Sequence, residues 1–333
     1  MSLLARYADH LFWLARYLER TASLARIIET HLAFDRGRDE DVSWAWLVTL
    51  HNDEERFRKA YDEASFKNVI RFYLADMDNH GSVRFALRAA RENARALRAV
   101  IPTEMWVHLN EFYNRYLVMT EADLDPIRIA RTCEQIKSGC YAQLGVAEST
   151  LYRDEGWRFF RLGLMIERAD QTSRLLDVKF AQLATGLSSP AISSAQAKAD
   201  DDTFWSLVLR SAVAYQAFRR FEPRGADADR VARFLLVNSS HPRSAAYCLM
   251  EVQRLLGELR SGFGLRRVGT AQEQSEALLE LLQAAAADAS LATRLHAVND
   301  QLQRRLIELT AELGRTFFGY PEPAMQSQSQ EQS

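Results

Sequence analysis

The sequence predicts an all-α protein, a multi-helix bundle of two related antiparallel helical halves. Apolar residues recur every three to four positions almost throughout, the period of an α-helix with one buried face. No sustained run alternates in the manner of strands, and no glycine-rich loop joins a strand to a helix, which argues against a doubly wound α/β protein. Two blocks of sequence also reappear in the same order further along the chain.

The elements follow from this periodicity. Leu4, Ala8, Leu11, Ala15, Leu18, Ala22 and Ala25 form one stripe on a first helix. A second helix is expected from near Val42 through Trp46, Leu50, Phe57 and Tyr61, and a shorter one over residues 65–75. The polar turn Asp76-Met77-Asp78-Asn79-His80-Gly81-Ser82 caps the next helix, expected over residues 83–100. Pro102 suits the start of a helix that packs Trp106, Leu109, Phe112, Tyr113 and Tyr116. Residues 127–152 read as helical with a break near Gly139 or Gly145. The domain reading is an N-terminal half over 1–185, a Gly/Ser/Pro/Ala linker over 186–202, a C-terminal half over 203–320 and a disordered tail over 321–333.

Composition narrows the function classes. The chain has 333 residues, enough for a sizeable core, and its formal net charge of -2 offers no global attraction to nucleic acid or an acidic membrane. Three cysteines form neither a disulfide framework nor a thiolate metal set. The start reads as no secretory leader and no apolar run suits a membrane span, so a cytoplasmic protein is expected.

The repeat singles out a pair of acid–arginine helices. Adding 148 to Glu19, Arg20 and Arg26 gives Glu167, Arg168 and Arg174. A shift of 162 carries Phe72, Ser82 and Phe85 onto Phe234, Ser244 and Tyr247. Glu19 and Arg26 lie two turns apart on about the same face, as do Glu167 and Arg174. Small neighbours, Ala15 and Ala22 on one helix and Gly163 on the other, allow close approach. If the faces meet, Glu19 pairs with Arg168 or Arg174, and Glu167 pairs reciprocally with Arg20 or Arg26. Such pairs satisfy charge at a helix junction; alternatively they line a cleft that recognises an anion or amide.

Other signals are weaker. Asn79, His80 and Arg243 sit at turns that could border a cleft, while Ser82 and Ser244 read as helix caps. Arg91-Glu92-Asn93-Ala94-Arg95 puts two arginines on one helical face with Glu92 directed elsewhere, either a phosphate site or a solvated surface. No metal site is expected: the sequential polar residues His51-Asn52-Asp53-Glu54-Glu55 spread around a helix and do not converge, and Glu104, His108 and Glu111 lack the paired Glu-x-x-His pattern of a di-iron bundle. Cys133 and Cys140 read as packing residues.

The residues at 11–26, Ala90-Arg91-Glu92-Asn93-Ala94-Arg95, Glu104-Met105-Trp106, Glu167-Arg168-Ala169-Asp170 and His241-Pro242-Arg243-Ser244 together resemble the bacterial alpha-E domain family. The resemblance extends to about Phe318 and implies an all-helical fold. It further implies association with a circularly permuted ATP-grasp protein and with a transglutaminase-like protein, in making or modifying a peptide or other amide-bonded compound. ATP and Mg would then be used by the partner ligase, with no cofactor held by this chain. The expected function is an accessory or substrate-presenting protein for that ligase, its helical halves holding either an acidic peptide or the partner. The alternatives are an enzyme using Glu19 or Glu167 as acid or base beside Arg20, Arg26, Arg168 and Arg174, or a structural or regulatory helical protein. Oligomeric state is open.

Overall fold

A computed structural model describes residues 4–35, 44–184, 194–289 and 291–321. Among them every regular element is helical. Two long helices, α1 (Ala5–Asp35) and α8 (Glu155–Ala184), cross at the centre. Between them run α2 (Ala45–His51), α3 (Glu54–Ala60), α4 (Phe66–Leu74), α5 (Val83–Ala96), α6 (Thr103–Leu117) and α7 (Ile129–Thr150). After α8 come α9 (Ser194–Ser211), α10 (Tyr215–Phe221), α11 (Ala228–Val237), α12 (Ala245–Phe263), α13 (Gly269–Ala287) and α14 (Leu291–Leu313). Helices α5 and α7 flank α1, with α6 laid across both; α12 and α14 flank α8, with α13 laid across both.

The centre is possible because α1 and α8 each bury more than one stripe. Leu14, Ala15, Leu18, Ala22 and Ala25 on α1 and Leu162, Met165, Ile166 and Ala169 on α8 are all buried in one continuous apolar core. α8 packs on helices from both sides of residue 185, so this core is continuous across the expected half boundary. α9 begins at Ser194, inside the stretch expected as linker. Residues 185–193 and 322–333 of the expected linker and tail lie outside the described residues.

The turn chemistry is largely that of the sequence. Ser82 and Ser244 cap α5 and α12, each hydroxyl accepting from the backbone N–H three residues on, at 3.1 Å in both cases. Each hydroxyl also donates backwards, to the carbonyls of Asp76 and Asn238. Ser65 caps α4 in the same way.

Two expectations are corrected. The helix expected from near Val42 to Tyr61 is interrupted at Asn52, whose φ of 56° is left-handed and ends α2 before α3 starts. An asparagine tolerates that conformation and so serves as a C-terminal cap. The break expected near Gly139 or Gly145 is absent: α7 is continuous. Gly139 instead makes room for a ring, since a Cβ there would meet Phe112 Cε2 at 2.4 Å.

Candidate functional site

The contact between α1 and α8 is unusually close at Gly163. A Cβ on this residue would lie 2.1 Å from the carbonyl oxygen of Phe12, so the two backbones touch where any side chain would hold them apart. One to two turns on, this approach carries Glu19 and Glu167 into the interior, each 0% exposed.

Each carboxylate is held by the arginine beside the other. Arg20 donates both Nε and Nη2 to Glu167, at 2.7 and 3.0 Å, and Arg16 Nε adds a bond to Oε2 at 2.8 Å. The Gln171 amide donates to Oε1 at 3.1 Å. Glu19 accepts from Arg168 Nη2 at 3.0 Å and from Arg243 Nη1. Planar guanidinium forks suit this use because they bridge two oxygens in fixed geometry. The loop that brings in Arg243 is pinned at its own carbonyl by the Thr172 hydroxyl, at 2.8 Å, and at Pro242 O by Arg168, at 3.2 Å.

Arg26 and Arg174 do not join the crossed pairs. Arg26 is buried and donates to Ser211 O at 2.7 Å, the Tyr141 hydroxyl at 2.8 Å and Ser23 Oγ at 3.3 Å, with no carboxylate bonded to it among the described residues. Burial, reinforced by Arg243, lowers its pKa to about 10. Arg174 turns to Asp170 on its own helix, 2.9 Å away. The junction is therefore rich in positive charge: four arginines share two carboxylates and Arg26 adds a fifth guanidinium.

The acids are fixed as anions. Burial alone would raise Glu19, but Arg168 and Arg243 outweigh it and hold the carboxyl far below its ordinary range. Burial also opposes ionisation of Glu167, which Arg20 and Arg16 nevertheless lower to about 2. The folded form thus binds fewer protons than the unfolded chain between the ordinary glutamate value of 4.5 and about 2. Stability is present above that window and is lost as pH falls through it. Urea unfolding between pH 6 and pH 3 is expected to show this decline, and Glu167→Gln to flatten it.

Beside this junction opens a polar cleft of about 350 Å³, bordered by Arg20, His51, Asp53, Arg56, His80 and Arg174. His51 is held neutral by burial, with Arg174 and Arg20 acting in the same direction, and its pKa is lowered to about 3. Its Nε2 is buried without a hydrogen-bond partner among the described residues. Arg56 donates to Asp53 Oδ1 at 3.1 Å. The wall therefore offers guanidinium donors, a neutral imidazole and the carboxylates of Asp53 and Asp170. This mixture suits a ligand with an anionic group and a hydrogen-bond donor.

The other expected site residues are distributed unevenly around this cleft. His80 borders it and stacks on Phe85, with ring centres 4.5 Å apart. Asn79 is fully buried and holds its own turn, donating to Phe72 O at 3.0 Å and accepting from Gly81 N at 2.8 Å. Arg91, Glu92, Asn93 and Arg95 do not line it. Glu92 does not point away from its neighbours, as its position on the helix suggested. It bridges Arg91 at 2.8 Å and Arg95 at 2.7 Å, because both long side chains reach round to it. Asn93 meets His10 at 3.0 Å. Arg168 and Arg243 serve Glu19 and lie outside the cleft lining.

Arg16, Gln171 and the Asp53–Arg56 pair were not legible as site residues. Arg16 and Gln171 carry a signal in retrospect, since each stands four residues from a pairing residue on the same helical face, Arg20 and Glu167 respectively. Among the described residues no group of three His, Cys, Asp or Glu side chains converges to hold a metal. Likewise no helix is long and apolar enough to cross a membrane. All three cysteines are buried, and burial pushes the Cys248 thiol up to about 12, so it packs as an apolar group.

Residues 3–318 match the model of the Alpha-E family, described as a predicted alpha-helical domain with a conserved ER motif. The chain belongs to the Alpha-E family. Both Glu19-Arg20 and Glu167-Arg168 are ER dipeptides, and the crossed pairing gives the dipeptide a physical reason: each glutamate is bound by the arginine of the other. This Alpha-E chain is 25% identical over 283 residues to uncharacterized proteins of Mycobacterium bovis and Mycobacterium tuberculosis strain CDC 1551. It is 24% identical to one of Mycobacterium tuberculosis strain H37Rv. Each match covers 79% of this chain but 30% of the relative, so the Alpha-E chain spans about 30% of the length of these curated relatives. No solved structure matches it.

Proposed function

We propose that this Alpha-E domain is an accessory, substrate-presenting protein for an ATP-grasp ligase that makes or modifies a peptide or other amide-bonded compound. The cleft beside Arg20 carries the reading. Its arginines are held in place by carboxylates, so they meet an anionic peptide group with little ordering left to do. ATP and Mg act in the partner, and a transglutaminase-like protein is the second partner of the same pathway. The greater length of the mycobacterial relatives supports a domain that works beside others in one polypeptide. The site of action is the cytoplasm, where the ligase finds its ATP.

Catalysis by Glu19 or Glu167 is disfavoured on physical grounds. A general acid or base needs access to substrate and a pKa near the working pH. Both carboxylates are fully buried, doubly tied to arginine and held low. We also read the chain as two related helical halves, on the strength of the crossed ER pairs and the matching caps at Ser82 and Ser244.

The test is co-purification with a circularly permuted ATP-grasp protein, followed by ligation assays with and without this domain. Complex formation and faster product formation are expected, with both the rate gain and acidic-peptide affinity reduced by Arg56→Gln. No complex and no effect on product across acidic peptides would overturn the proposal.

A further inference from the structure

A second cleft lies away from the ER junction, between α6 and α7. It measures about 590 Å³, opens to solvent on one side and is bordered by His108, Phe112, Arg115, Val118, Ile136 and Gly139. This volume is within the range of small-molecule sites.

The chemistry of its wall follows from one buried amide. Gln143 is 0% exposed and bonds the backbone carbonyl of Met105 at 3.0 Å. A carbonyl only accepts, so the Gln143 end facing it is the NH2, and Oε1 faces His108 Nδ1 at 2.6 Å. Nδ1 of His108 must then carry the proton and donate it. In the neutral ring this leaves Nε2 as a lone-pair acceptor, and no protein group bonds Nε2 among the described residues. His108 lines the cleft, so the fixed tautomer puts an acceptor nitrogen on a residue of its wall.

Two further features define what fits. Arg115 is exposed, lines the same cleft and makes no ion pair or hydrogen bond among the described residues, so its guanidinium donors are open to a ligand. Asp123 adds an anionic carboxylate to the wall, kept ionised by the N–H and hydroxyl of Thr120, which donate to its Oδ2 at 2.9 and 3.0 Å. Val118, 74% exposed, offers the apolar surface, backed by the buried Phe112 and Ile136, and Gly139 lets the Phe112 ring lie against α7. His108 and Arg115 stand two turns apart on the same face of α6.

We propose that this cleft binds an N-acylated apolar amino acid, as a free molecule or as the last residue of a peptide. Arg115 takes the carboxylate, His108 Nε2 accepts the amide N–H, and the apolar side chain covers Val118. The inference is independent of the ER cleft and of any ligase, and needs this protein alone for its test.

N-acetyl-L-phenylalanine is the probe, followed by calorimetric titration of the intact chain. Saturable binding is expected, weakened at least about tenfold by the methyl ester, by the N-methyl amide analogue and by Arg115→Gln, each of which removes one polar contact. Ala142→Trp, an exposed position on the cleft lining, is expected to abolish binding while leaving the melting temperature unchanged. Absence of saturable binding, or equal affinity for the acid, the methyl ester and the N-methyl analogue, would overturn the proposal. Binding that survives both Arg115→Gln and Ala142→Trp would do so as well.

Discussion

Replacing Glu19 by alanine is expected to destabilise the fold by about 3–5 kcal/mol, because it strands two buried arginines without their carboxylate. Arg168 and Arg243 both end on Glu19, and their side chains are only 13% and 12% exposed. With Arg26 also buried nearby, removing this anion leaves three guanidinium groups at one point of the core without a carboxylate partner among the described residues. Glu19→Gln keeps the shape and part of the hydrogen bonding and is expected to cost less, though it still removes the charge. Urea unfolding of both variants at neutral pH measures the difference. The loss should exceed that from Glu92→Ala, which cuts two ion pairs on a solvated helix face.

The second large effect concerns no charge at all. Gly163→Ala places a methyl group 2.1 Å from the Phe12 carbonyl oxygen, a backbone atom that cannot rotate away. Either α1 and α8 separate or one of them bends. Overpacking of a close core contact costs about 1–3 kcal/mol, and the upper end or beyond is expected where the obstacle is backbone. Separation would also lengthen every bond across the ER junction, so the variant should lose acid sensitivity along with stability. Gly145→Ala, on an open surface of α7, is the control and should raise stability slightly through helix propensity.

The reciprocal pairing of Glu19 with Arg168 and of Glu167 with Arg20 was legible in the sequence because it needed three local facts: a repeated dipeptide, a helical period and small residues beside it. Ser82 and Ser244 were legible for the same reason, since capping depends on a residue and its next three neighbours. The contributions of Arg243 and Tyr141 were not legible as pairings, because each arrives from a distant part of the chain whose position depends on how other helices pack. The pairing of Glu167 with Arg26 failed because Arg26 finds Ser211 O and the Tyr141 hydroxyl instead, while Arg16 and Arg20 take Glu167. At Asn52 and Gly139 the misreading was of backbone. Periodicity ran straight through a left-handed asparagine, and a glycine taken as a helix break serves to admit a ring. Of the polar cleft's wall, Arg20, Arg174 and His80 were legible in the sequence, whereas Asp53 and Arg56 are ordinary surface residue types until the turn at Asn52 and the start of α3 bring them to it.

The claim on which this account rests is that the two ER motifs bind across the helix junction and not within themselves. A double-mutant cycle measures it directly, with unfolding free energies for Glu19→Gln, Arg168→Gln, Arg20→Gln and the paired combinations. A coupling of about 1–3 kcal/mol between Glu19 and Arg168 is expected, and a much smaller one between the sequence neighbours Glu19 and Arg20. Additivity of Glu19→Gln and Arg168→Gln, or stronger coupling between the neighbours than across the junction, would contradict it.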